Sequence, residues 1–137
     1  MILVVEDEPL VRILLADVLT EAGFKVREAA DAEEALQILN AGLDVSVLVT
    51  DVDMPPGIDG YALTRQVSAN WPDIQIIVTS GRQWPQEGDL PEGAAFLAKP
   101  VPNEVLVSYV KAASERVAQR NDQQAEGETV VPFLRTA

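Results

Sequence analysis

The 137-residue chain has room for one domain with a proper core, and the absence of cysteine and histidine excludes disulfides, thiolate or imidazole metal sites and histidine-assisted triads. Ten basic against twenty-two acidic residues give a net charge of −12, which opposes nucleic acid or an anionic membrane as partner and leaves the chemistry to carboxylates, hydroxyls and lysine. No apolar run approaches the roughly eighteen residues of a membrane span, and Met1 leads straight into an apolar stretch with no room for a targeting peptide, so a soluble, cytoplasmic protein is expected.

Residues 1–5 form an apolar run ended by Glu6, Asp7, Glu8 and Pro9, which predicts a first strand with an acidic tip and a helix opened by Pro9. Val11, Leu14, Leu15, Val18 and Ala22 recur at helical spacing and predict its inner face, with Gly23 as its end. Residues 24–28 alternate apolar and charged side chains as a short strand. Asp31 is placed to cap a second helix with inner stripe Ala32, Ala35, Leu36 and Leu39, closed by Gly42. Residues 45–51 are β-branched and aliphatic, too few for a helix, and predict a strand buried on both faces that stops at Asp51. A loop with Asp53, Met54, Pro55, Pro56 and Gly57 follows.

Residues 60–70 suit a helix with Leu63 and Val67 inward, broken by Pro72. Residues 74–78 predict a fourth strand that ends in Thr79, Ser80 and Gly81. The stretch 82–93 carries Pro85, Gly88, Pro91 and Gly93, which predicts a loop or one irregular turn in place of a helix. Residues 94–98 form a fifth strand ended by Lys99 and Pro100. Asn103 is expected to cap a last helix whose inner stripe is Leu106, Tyr109, Val110, Ala113 and Val117. Residues 119–137 are mostly polar and read as a flexible tail, with Val130, Val131, Phe133 and Leu134 as a small docking patch.

Strands alternating with helices on short connections imply an α/β domain over residues 1–118, with a doubly wound, five-stranded parallel sheet. Ligands bind such sheets at the carboxyl ends of the strands. Glu6 with Asp7, Asp51 with Asp53, Thr79 and Lys99 all fall on that rim. Singly, each has an ordinary account as a turn acid, helix-start acid, strand-end hydroxyl or rim charge. Together they describe a site. Carboxylates about 5 Å apart repel by roughly 3 kcal/mol per pair at an effective dielectric near 20, a conflict that a raised pKa or a hard divalent cation such as Mg²⁺ resolves. A carboxylate facing an ammonium and a hydroxyl beside such a cation has the parts for phosphoryl transfer, with the central Asp51 as nucleophile.

Val-Val-Glu-Asp-Glu at the first strand, Thr-Asp-Val-Asp-Met-Pro at the third, Val-Thr-Ser-Gly at the fourth and Phe-Leu-Ala-Lys-Pro at the fifth resemble the motifs of a response-regulator receiver domain of the stand-alone, CheY-like type. The resemblance implies a flavodoxin-like (βα)5 fold with strand order 2-1-3-4-5, the fourth helix here short or irregular. It implies that Asp51 accepts a phosphoryl group from a sensor histidine kinase or histidine phosphotransfer protein. Mg²⁺ would be held by Asp7, Asp51 and the carbonyl of Asp53, with Glu6 acting through water. Thr79, with Ser80 beside it, would contact the phosphoryl group, Lys99 would pair with it, and Phe96 would be the switch aromatic. The bond before Pro100 would be cis. Such a domain is a switch that catalyses only its own phosphorylation and dephosphorylation and acts on a downstream protein as a monomer or weak dimer.

The chain departs from that pattern in a loop after Asp51 that is one residue longer, in the segment 82–93, and in Val101 and Pro102 where an aromatic is expected. Two other readings remain open from the residues alone. One is a constitutive receiver-like scaffold that is never phosphorylated. The other is a haloacid-dehalogenase-type phosphatase using Asp51 and Asp53.

Overall fold

The computed structural model describes residues 1–55 and 57–136, with side chains described through residue 120 apart from residue 56. The apolar runs form β1 (Ile2–Val5), β2 (Val26–Ala29), β3 (Val47–Asp51), β4 (Gln75–Ser80) and β5 (Ala95–Ala98). Between and after them lie α1 (Pro9–Glu21), α2 (Ala32–Asn40), α3 (Gly60–Asn70) and α4 (Asn103–Thr136). All strand pairs are parallel and the sheet order is β2-β1-β3-β4-β5, as the alternating pattern predicts. Residues 81–94 run in turns and bends where a further helix would stand. The expected flexible tail over 119–137, with its patch at Val130–Leu134, falls almost wholly outside the described side chains.

Every residue of β1 and β3 is buried, because helices cover both faces of the sheet. Alternate side chains feed two cores. Leu3, Val5, Leu48 and Val78 meet Ala35 and Leu39 of α2 and Leu63 and Val67 of α3. Ile2, Val4, Val49 and Ile77 meet Leu19 of α1 and Leu106, Val110 and Ala113 of α4. Each fully buried leucine contributes about 2 kcal/mol relative to exposure.

Local signals set several boundaries. Pro9 stands at the first position of α1, and Gly23 follows its end with φ 99°, a conformation open to glycine. Asp31 Oδ1 accepts the Glu34 N–H at 2.8 Å and caps α2. Asp59 does the same for α3 through Ala62 at 2.8 Å, a cap the sequence reading missed.

Four expectations need correction. The inner face of α1 is Leu15, Ala16 and Leu19, while Leu10, Val11, Ile13 and Leu14 are exposed. The side of this helix that turns outward is the one that also carries Asp17, Thr20 and Glu21, so polar positions as well as apolar spacing mark its face. Tyr109 is exposed, because Leu106, Val110 and Ala113 define the contact of α4. Asn103 is the first helical residue of α4, and it is the carbonyl of Pro102 that accepts the Leu106 N–H at 3.1 Å. β4 extends through Thr79 and Ser80, which places both hydroxyl residues within the sheet.

The start of α3 crosses the end of β3 at backbone distance. The Gly60 N–H donates to the Val52 carbonyl at 2.9 Å. A Cβ at Gly60 would lie 2.1 Å from the Asp51 carbonyl oxygen and 2.8 Å from the Val52 Cα, and neither backbone atom can rotate away. Gly60→Ala is therefore expected to lower stability by about 3 kcal/mol, the upper range for forced overpacking, as read by urea denaturation.

Candidate functional site

The register of the parallel sheet brings the polar strand ends to one edge. β3 ends at Asp51, which is the register partner of Thr79 on β4. Ser80 is the partner of Ala98, and the Lys99 N–H donates to the Ser80 carbonyl at 3.0 Å. Glu6 and Asp7 follow β1 on the other side of β3. The result is an open cleft of about 460 Å³ lined by Glu6, Asp7, Asp51, Asp53, Pro55, Arg82 and Lys99 among others.

One carboxylate oxygen from each of Glu6, Asp7 and Asp51 lies within 4.8 Å of the others. Glu6 is 2% exposed and Asp51 8% exposed, so bulk water screens their repulsion poorly. Lys99 answers it directly. Its Nζ stands 3.3 Å from Glu6 Oε1 and 3.3 Å from Asp51 Oδ1. The Val52 N–H donates to Asp51 Oδ1 at 2.9 Å, and the Glu8 N–H donates to Glu6 Oε2 at 3.2 Å. Arg12 braces the loop from behind, with Nη1 donating to the Glu6 carbonyl at 2.8 Å and Nε lying 3.4 Å from Glu28 Oε1. Three hard oxygens converging on a cleft, with one ammonium among them, fit a divalent cation of the Mg²⁺ type.

The other expected residues are placed as follows. The side chain of Asp53 turns away from the three acids, and its Oδ1 accepts from the Gln83 amide. Thr79 is buried beside Asp51. The Ser80 hydroxyl faces the segment after β4 and accepts the N–H groups of Arg82 at 3.3 Å and Gln83 at 2.9 Å. Phe96 is partly buried, and its ring lies 5.4 Å from that of Trp84 at 48°. The Lys99–Pro100 peptide is cis. Sequence reasoning missed Arg12, Tyr61, Gln83 and Trp84. An arginine set among the apolar residues of the first turns of α1 was the available signal for Arg12; the other three carry none.

Burial, opposed by the Glu8 N–H and Lys99 but aided by the charge of Asp51 and a side-chain hydrogen bond with Asp7, holds the Glu6 carboxyl above its ordinary value. For Lys99, partial burial alone would lower the value, but Asp51 and Glu6 outweigh it and hold the ammonium above the ordinary lysine range. The folded state thus binds the Glu6 proton more tightly than the unfolded chain does. Stability from this group is present below the ordinary carboxylate value and is lost as pH rises through the raised one. In chelator, Glu6→Gln is expected to raise the melting temperature by a few degrees at neutral pH. That gain should vanish as the pH falls below the carboxylate range, and calorimetry across pH measures it.

The family pattern described as the response regulator receiver domain matches residues 2–111. A transcriptional regulatory protein of Bacillus subtilis, YrkP, is 35% identical over 130 residues, which are 93% of this chain and 55% of that protein. The sensor kinase CckA of Brucella abortus is 37% identical over 121 residues, 84% of this chain and 12% of the kinase. The chain thus spans about half of the first relative's length and far less of the second's. Among solved structures, the receiver domain of the hybrid histidine kinase CckA is 38% identical with a TM-score of 0.69, covering 82% of this chain and 97% of that one. A receiver domain protein from Clostridium thermocellum is 28% identical with a TM-score of 0.73, covering 84% and 94%. Sequence pattern, sheet order and relatives agree, and the chain belongs to the response regulator receiver domain family.

Proposed function

We propose that the chain is the phosphoacceptor switch of a two-component relay, with Asp51 taking a phosphoryl group from the phosphohistidine of a sensor kinase or a phosphotransfer protein. The observation that carries this reading is the nearly buried Asp51 carboxylate at the sheet edge, flanked by two further acids and 3.3 Å from the Lys99 ammonium. Both the Lys99 and the Val52 contacts fall on Oδ1, which leaves Oδ2 to attack. A lone pair of Oδ2 forms the P–O bond while the P–N bond to the donor imidazole breaks, and the bonding pair leaves with the nitrogen. Lys99 stabilises the charge on the transferring oxygens beside the nearly buried Asp51 carboxylate. Asp7, Asp51 and the Asp53 carbonyl would hold Mg²⁺, with Glu6 acting through water, and the ion would supply further neutralisation of that charge.

The phosphoryl group adds charge and acceptors next to Thr79, whose hydroxyl bonds it, with Ser80 at its side. Phe96, the register partner of Val78, takes up the space that Thr79 leaves. The phosphorylated state therefore presents a different β4–β5 surface to a downstream protein. The domain catalyses only its own phosphorylation and dephosphorylation, and it acts in the cytoplasm as a monomer or weak dimer. Among the described residues no helix is long and apolar enough to cross a membrane.

Intact mass after incubation with Mg²⁺ and acetyl phosphate or phosphoramidate tests this reading. Wild type is expected to gain one labile phosphoryl group, and Asp51→Asn or omission of Mg²⁺ to abolish it. Lys99→Ala should slow adduct formation at least about a hundredfold, the usual scale for losing one charge-stabilising donor. Steady phosphate release from assorted monoesters would favour the phosphatase instead, and a folded protein with neither adduct nor turnover would favour the constitutive scaffold.

A further inference from the structure

Gln83 lies where the segment after β4 passes the acid rim, and three of its polar groups are engaged by three different elements. Its N–H donates to Ser80 Oγ at the end of β4, at 2.9 Å. Its carbonyl accepts from the Tyr61 hydroxyl in the first turn of α3. Its side-chain amide donates to Asp53 Oδ1, two residues beyond Asp51. Tyr61 is buried, and that burial, followed by the charges of Asp89 and Asp59, holds its phenol above the ordinary value, so it remains a donor. The next residue, Trp84, is 65% exposed yet packs its ring against Phe96 with centroids 5.4 Å apart. Two consecutive residues therefore touch the loop that follows Asp51 and the aromatic of β5.

We infer that Gln83 is a positioning residue that holds the loop after Asp51 and links cation binding at the rim to the Trp84–Phe96 pair. The inference rests on the receiver reading of Asp51 and deepens it. Its N–H and carbonyl tie the Gln83 backbone to β4 and α3, and its side chain ties it to the loop after Asp51. A cation drawn to Glu6, Asp7 and Asp51 pulls on the same loop. The pull reaches Gln83 through one hydrogen bond and Trp84 through one peptide unit. Because the acceptor is a carboxylate, the contact to Asp53 is charge-assisted, and a nearby cation that competes for that charge changes its strength.

Mg²⁺ titration of the full chain, followed by tryptophan emission, tests the inference, with Trp84→Phe used to assign the signal. In wild type the Trp84 emission is expected to change as Mg²⁺ binds. Gln83→Ala should weaken Mg²⁺ affinity about fivefold, the scale of one hydrogen bond, and abolish the Trp84 response even at saturation. Tyr61→Phe leaves the Gln83 amide in place but unpins its backbone, and should also suppress the response. Wild-type affinity and response in both variants would overturn the inference, as would a lower melting temperature with both readouts unaltered. A wild type that forms the Asp51 adduct but shows no Trp84 response to Mg²⁺ would leave the receiver reading standing and overturn the coupling. A wild type with neither adduct nor Mg²⁺ response would remove both.

Discussion

Lys99 stands between two carboxylates that the fold withdraws from water, and the rest of the rim depends on that contact. Glu6 and Asp51 come from different strands and repel each other, so their shared approach to one ammonium at 3.3 Å is what makes the edge tolerable without a cation. The compensation is incomplete, because the raised Glu6 value shows that burial and like charge outweigh the favourable contacts. A site left in that condition draws a hard cation, and that cation together with Lys99 is what would let an anionic phosphoryl group approach the acids. Function here is the residue of an unsolved electrostatic problem.

The geometry of that rim is held from outside the cleft. Gly60 lets α3 begin against the backbone of Asp51 and Val52, which fixes where β3 stops. Arg12 reaches back from α1 to the Glu6 carbonyl and across to Glu28 of β2, which ties the first helix to the rim. A band of Leu10, Ile13 and Leu14 faces solvent on the side of α1 that also carries Asp17, Thr20 and Glu21.

The segment between β4 and β5 shows the opposite relation, in which a broken pattern creates contacts that a regular element would not. Prolines and glycines prevent a helix at 81–94, yet Leu90, Ala94 and Phe96 still close the core above Val78. The hydrogen-bonding groups freed by the missing helix are taken up by Ser80, Tyr61 and Asp53. Trp84 and Phe96 are brought into contact as a consequence.

The sequence by itself determined the strand and helix alternation, the parallel sheet, and the assembly of Glu6, Asp7, Asp51, Thr79 and Lys99 on one edge. These follow from local physics: two-sided apolar runs must be buried on both faces, short connections force parallel pairing, and the residue after each run must then lie on the carboxyl rim. The cap at Asp31 and the break at 82–93 were legible for the same reason, since one side chain or a few prolines decide them. What only the tertiary structure decided were the contacts between segments distant in the chain. The face of α1, the exposure of Tyr109, the turning of Asp53 toward Gln83 and of Ser80 toward the segment after β4, and the pairing of Trp84 with Phe96 each depend on which neighbour arrives from elsewhere. Periodicity carries no information about a partner thirty residues away, and so the rim was legible while the strap across it was not.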